Sequence, residues 1–140
     1  MENLRAKLRL AFRAENVGAG FYSTLSGHCR KQPNLAMKLV EFARHESRHA
    51  VMFSALHKKE YGTELGGGKT WFRIGRMLAH LQLFLPLEHK LRLIGKVERK
   101  AILQLEHSLT LGTRGPYQEM IEKILPDERK HAEFYATWYS

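Results

Sequence analysis

Apolar residues return every three or four positions along five stretches of the chain, and proline- or glycine-bearing breaks separate the stretches. In residues ~2–27, Leu4, Leu8, Ala11, Phe12, Ala19 and Tyr22 share one helical face, and the polar run from Gly27 ends the pattern. A second helix is expected to start at Pro33 and run to about Tyr61, with Leu39, Phe42, Ala43, Ala50, Phe53 and Leu56 inward. Proline suits that first turn because its missing N–H is not needed there. Gly66, Gly67 and Gly68 form the clearest break in the chain. Thr70 is then placed to cap a shorter amphipathic helix bearing Trp71, Phe72, Ile74, Met77, Leu78, Leu81, Phe84 and Leu85. Pro86 separates or kinks it from a third long helix, ~87–111, with Leu91, Ile94, Ala101, Ile102, Leu105 and Leu109. The turn from Gly112 to Pro116 leads to the fourth, ~116–138, in which Pro126 should bend or split the helix.

These elements predict an all-α protein whose long helices form two pairs. Short turns make each pair antiparallel. About 26 residues separate the second and third long helices, and a 16-residue helix covers about 24 Å, enough to cross a bundle's length. That crossover, carrying the extra short helix, makes the second and third long helices parallel. The expected architecture is the ferritin-like four-helix bundle.

Composition narrows the class. A chain of 140 residues, 44% hydrophobic and 26% charged, is expected to form a single domain over 1–140 with a sizeable core. Cys29 is the lone cysteine, which excludes an internal disulfide and any Cys-x-x-Cys site. With no long uncharged apolar run and no signal-like start, cytoplasmic is the default location. The net charge of +9 invites an acidic partner, an anionic membrane surface or a plain solvated basic face. No basic run interleaved with aromatics is present, so nucleic acid is not a leading partner.

Candidate chemistry lies on the inward faces. Glu46 and His49, and again Glu128 and His131, form Glu-x-x-His, a spacing that sets both side chains on adjacent helical positions. Glu15 and Glu98 are single glutamates on the other two long helices. Each of the four glutamates is flanked at three-, four- and seven-residue spacing by apolar side chains, so each should be buried. Buried carboxylates need compensating charge. Four carboxylates and two imidazoles carry a formal charge of −4, which two divalent cations balance. Oxygen-rich ligation with one imidazole per ion suits iron, with manganese as the alternative, better than zinc or copper.

Supporting groups follow from the same stripes. Asp127 precedes Glu128 and is expected to accept a hydrogen bond from His49, because a ligating imidazole commonly donates its second N–H to a carboxylate. His45 holds the equivalent position before Glu46 and would face His131. Tyr22, two turns past Glu15, reads either as a catalytic phenol able to donate a hydrogen bond or an electron, or as core packing. Tyr135 has the same two readings. The other histidines, His28, His57, His80, His89 and His107, are expected to be exposed or to pack.

With these residues in place the chain resembles the ferritin-like di-iron superfamily, and locally its rubrerythrin-like branch. Ala14–Tyr22 is similar to that branch's first-helix signature and Asp127–Tyr135 to its fourth. The resemblance implies Glu15, Glu46, His49, Glu98, Glu128 and His131 as ligands of two iron ions, with Glu46 and Glu128 bridging. It implies an oxidoreductase that activates O₂ or reduces peroxide, or else an iron-handling ferroxidase. Two departures bear on this. Ala101 stands where such proteins place an extra carboxylate one turn after the third-helix ligand. The accompanying Cys₄ domain is missing, so a separate electron donor is expected. The long apolar crossover is similar to the membrane-facing region of demethoxyubiquinone hydroxylases, which would make the protein a membrane-surface hydroxylase. The reading favoured for residues 69–85 is instead packing on the bundle or a homodimer interface.

Overall fold

A computed structural model describes residues 3–81, 84–111 and 114–138, and no strand occurs among them. Five long helices do occur: α1 (Leu4–His28), α2 (Pro33–Tyr61), α3 (Gly68–Leu81), α4 (Leu87–Thr110) and α5 (Pro116–Trp138). They fall into two compact units, Met1–Leu83 and Phe84–Ser140.

In the first unit, α1 starts where the Asn3 side chain accepts the Arg5 backbone N–H at 2.9 Å. The expected start at residue 2 lies outside the described residues. Helix α2 opens on Pro33 as its apolar pattern requires. It closes on Gly62, whose left-handed φ of 79° lets its N–H reach the Lys58 carbonyl. The short turn makes α1 and α2 antiparallel: Tyr22 meets Phe42 edge-to-face at 5.7 Å, while Arg5 lies over the Tyr61 ring at the opposite end. Leu8, Leu25, Leu35 and Leu39 are fully buried.

Helix α3 starts earlier than its sequence suggests. Thr70 is not its cap; the helix begins at Gly68, and Trp71 N–H bonds back to the Gly67 carbonyl. Gly67 takes φ 83°, a conformation that threonine rarely adopts, and this moves the helix start to the glycines. Helix α3 runs parallel to α1 and packs on it by its narrowest face. A Cβ on Gly20 would lie 2.0 Å from the Phe72 carbonyl oxygen, and a Cβ on Gly75 would lie 2.0 Å from that of Val17. Only glycine permits backbones this close, with Cα–H groups facing carbonyls. Ala79, one turn on, is fully buried. The expectation that residues 69–85 pack rather than float is met for this face. Met77, Leu78 and Leu81 point outward and are exposed. The sequence pattern continues this helix to Leu85. Gln82 and Leu83 lie outside the described residues, but Phe84 and Leu85 are not part of an α-helix and are exposed, so the apolar periodicity overruns the end of α3 just before Pro86.

In the second unit α4 and α5 are antiparallel: Tyr135 packs beside Gly95, and Arg129 reaches Glu106 at 3.1 Å. Part of the turn expected between them, Gly112 and Thr113, lies outside the described residues. Pro126 does not split α5, which is continuous from Pro116 to Trp138. The Glu122 carbonyl loses its helical donor, but Glu122 and Pro126 both face solvent, where water can replace it.

Candidate metal centre

Each long helix places its glutamate at a similar depth. Glu15 and Glu98 come 11 residues after the first residues of α1 and α4, Glu128 12 after that of α5, and Glu46 13 after that of α2. In each antiparallel pair these positions meet near mid-helix. The first unit thereby brings Glu15 of α1 to Glu46 and His49 of α2. His49 Nδ1 is 3.4 Å from Glu15 Oε2 and 3.7 Å from Glu46 Oε2. The second unit repeats the arrangement. His131 Nδ1 is 3.6 Å from Glu98 Oε1 and 3.8 Å from Glu128 Oε2. Within each triad, one donor atom per residue lies within 4.8 Å of the other two.

These separations exceed the 2.7–3.2 Å of a good N–H···O hydrogen bond. They are close to what donors aimed at a common point show: two atoms each about 2.1 Å from one ion, at 90–120° to each other, lie roughly 3.0–3.6 Å apart. The His–Glu pairs across helices, at 3.4 and 3.6 Å, fall in that range, and the pairs within one helix, at 3.7 and 3.8 Å, lie just above it. Burial agrees. His49 and His131 are 1% and 0% exposed, Glu46, Glu98 and Glu128 are buried, and the Glu15 side chain is 15% exposed. Two carboxylates around one imidazole leave a formal charge of −1 per triad even with the imidazole protonated. One divalent cation per triad removes that excess. Gly18 completes the fit on the first unit: a Cβ there would stand 3.1 Å from Glu46 Oε1, in the space the carboxylate occupies.

The remaining sequence candidates are placed as follows. His45 stacks on His49, with ring centroids 6.5 Å apart and planes at 21°, and its Nε2 is 3.9 Å from Glu41 Oε1. Asp127 is buried just before Glu128. Tyr22 is buried edge-to-face between Phe21 and Phe42. Tyr135 is equally buried and is seven residues past Glu128, as Tyr22 is past Glu15. Three glutamates outside the triads are surface charges: Glu41, Glu106 and Glu122 sit in exposed ion pairs with Lys38, Arg129 and Arg114.

Two buried polar residues escape a reading based on stripes alone. His57 is 1% exposed, and its Nδ1 donates to the Thr63 carbonyl at 2.6 Å, pinning the loop after α2. The signal was present, because position 57 continues the stripe of His49, Ala50 and Phe53. Lys90 is buried two turns before Glu98. Read from periodicity alone it falls beside the apolar stripe, and a lysine is readily taken for solvent-facing because its long stem can be covered while its head is not.

Helices that converge paired carboxylates and an imidazole define a class of metal-binding helical proteins. Within it, the family model described as Rubrerythrin matches residues 7–139, and the chain belongs to that family, which is ferritin-like and all-α. Neither the curated proteins nor the solved structures contain a match to the chain. The Glu/His triads are compatible with iron binding.

Proposed function

We propose that the chain forms one ferritin-like domain over residues 1–140 whose two triads supply a single centre for two iron ions. The observation that carries this reading is the repetition itself: two antiparallel helix pairs build the same Glu plus Glu-x-x-His triad, with matching distances. Glu15 and Glu98 would then be terminal ligands, Glu46 and Glu128 would bridge, and His49 and His131 would supply one imidazole per ion. Manganese fits the same donors. Asp127 accepts the second N–H of His49 and fixes that ring, and His45 lies toward His131.

The proposed activity is oxidoreduction of O₂ or peroxide in the cytoplasm, where the buried thiol of Cys29 stays reduced. Iron held by these residues would supply electrons and Lewis acidity. The chain's own part is positional. Phe42, Ile94 and Ile124, each buried one turn before a glutamate on its own helix, restrict water near the carboxylates. Tyr22 is a buried phenol two turns from Glu15 that can pass on a hydrogen or an electron, and a separate donor protein must supply the electrons. Anaerobic Fe(II) loading followed by stopped-flow mixing tests this. Oxidation faster with H₂O₂ than with O₂ is expected. Failure of the loaded protein to react with either oxidant, even with substrates added, would overturn it.

One observation favours a second reading. Met77, Leu78 and Leu81 are exposed on α3 beside Lys69, Arg73 and Arg76, a combination suited to an anionic membrane surface and an apolar substrate there. Among the described residues no helix is long and apolar enough to cross a membrane. In this reading the protein sediments with anionic liposomes, and Leu78→Ser with Leu81→Ser weakens that binding. A homodimer that hides the same face would leave liposomes unbound and double the mass in size-exclusion chromatography.

A further inference from the structure

Two histidines that the candidate iron centre does not use meet at the far end of the first unit, about 20 Å along α1 from Glu15. His28 ends α1, and His80 is one residue from the end of α3. Because these helices are parallel, both side chains reach the C-terminal end of the pair. Their ring centroids are 5.3 Å apart with planes inclined by 56°, and both residues are exposed.

That separation has a chemical meaning. An imidazole nitrogen about 2.1 Å from an ion puts its ring centre about 3.2 Å away, so two imidazoles at a tetrahedral angle have centres roughly 5.2 Å apart. The helix ends add to it, since terminal carbonyls and the macrodipole make each C-terminus electronegative. Arg76 lies one turn before His80, and Arg30 follows α1 by two residues. Their positive charge disfavours hard cations attracted by charge alone, and leaves bonding to imidazole nitrogen as the source of affinity. Cys29 is next in sequence, but it is buried, which leaves the two rings as the protein ligands.

We propose that His28 and His80 form a second, surface metal site that takes one divalent ion of the imidazole-preferring class, zinc, nickel or copper, with water completing its shell. The bound ion ties α3 to α1 at the end opposite their first contact. The site is independent of the iron reading, since no ligand is shared.

Calorimetric titration of the iron-loaded protein with Zn(II) tests it, with iron measured before and after. One zinc per chain is expected to bind with iron retained, and Mg(II) should give no heat. The event should vanish in His28→Ala and in His80→Ala, and persist in His89→Ala and His107→Ala, whose residues are also exposed. Zinc should raise the unfolding midpoint of the parent but not of either loss variant. Circular dichroism confirms that these surface variants fold. Absence of a zinc event, its survival in either loss variant, or its coincidence with an equal loss of iron would overturn the site.

Discussion

Glu46→Ala and Glu128→Ala are expected to retain almost no iron after anaerobic loading and desalting, whereas His49→Ala and His131→Ala keep about one ion of two. The asymmetry follows from the roles proposed for these side chains. A bridging carboxylate belongs to both ions, so its loss opens both shells; an imidazole belongs to one. Iron analysis per chain reads the difference, and a full complement in Glu46→Ala would remove the shared centre. A second measurement separates ligand loss from misfolding. Each triad brings two carboxylates within 4.8 Å of each other around one imidazole, and like charges at that distance destabilise the metal-free chain. Metal-free Glu46→Ala should therefore be more stable than its metal-free parent, by about 1–3 kcal/mol. Iron loading should reverse the order, because only the parent gains stability by binding. A variant that lost iron because it failed to fold would show the opposite sign in the first comparison.

The two Glu/His triads were legible in the chain because their residues obey the periodicity of the helices that carry them. Glu46 and His49 are adjacent on one helix, and Glu15 is readable as their partner because it interrupts an apolar stripe at a matching depth. The antiparallel turns then turn equal depth into proximity, and the 3.4 Å between His49 and Glu15 is the outcome. Partners that lie outside the periodic pattern were not legible, even where the burial of the side chain was. His57 donates to a loop carbonyl six residues on, and no stripe marks a carbonyl. His28 and His80 are joined only through the parallel packing of α1 and α3, which the amphipathic pattern of α3 does not announce.

Thr70 and Pro126 show the same limit from the side of local structure. Threonine is a good cap and proline a poor helix interior, yet the backbone outcome is set elsewhere. At α3 the left-handed turn of Gly67 and the fit of Gly68 against Phe12 and Asn16 start the helix early. In α5 the position of Pro126 on the solvent face keeps the lost hydrogen bond within reach of water. Propensity is a weak prior beside tertiary packing.

Gly20→Ala and Gly75→Ala should each loosen α3 from the first unit, at a cost of about 2–3 kcal/mol or more in urea unfolding. Alanine ordinarily stabilises a helix interior by about 1 kcal/mol relative to glycine, so the sign is decided by space. Here the added carbon meets main-chain oxygen at 2.0 Å on either side of the crossing. A C···O contact needs about 3.3 Å, so the helices must part by roughly 1.3 Å. No side-chain rotamer can relieve that. Parting would also draw Trp71 from Arg13, His80 from His28 and the buried Ala79 from its packing. Gly27→Ala is the internal control: it sits in the last turn of the same α1 with nothing within 4 Å of the added carbon, and should be neutral or stabilising. Two clashes at one crossing are relieved by a single separation, so the double variant should cost clearly less than the two singles together. Strict additivity would mean the glycines act independently, and a stabilised Gly20→Ala would mean the helices do not pack this closely. Iron binding by Glu15, Glu46 and His49 should weaken less than the fold does, because the Gly20 contact lies on the α3 side of α1 and the triad on its α2 side.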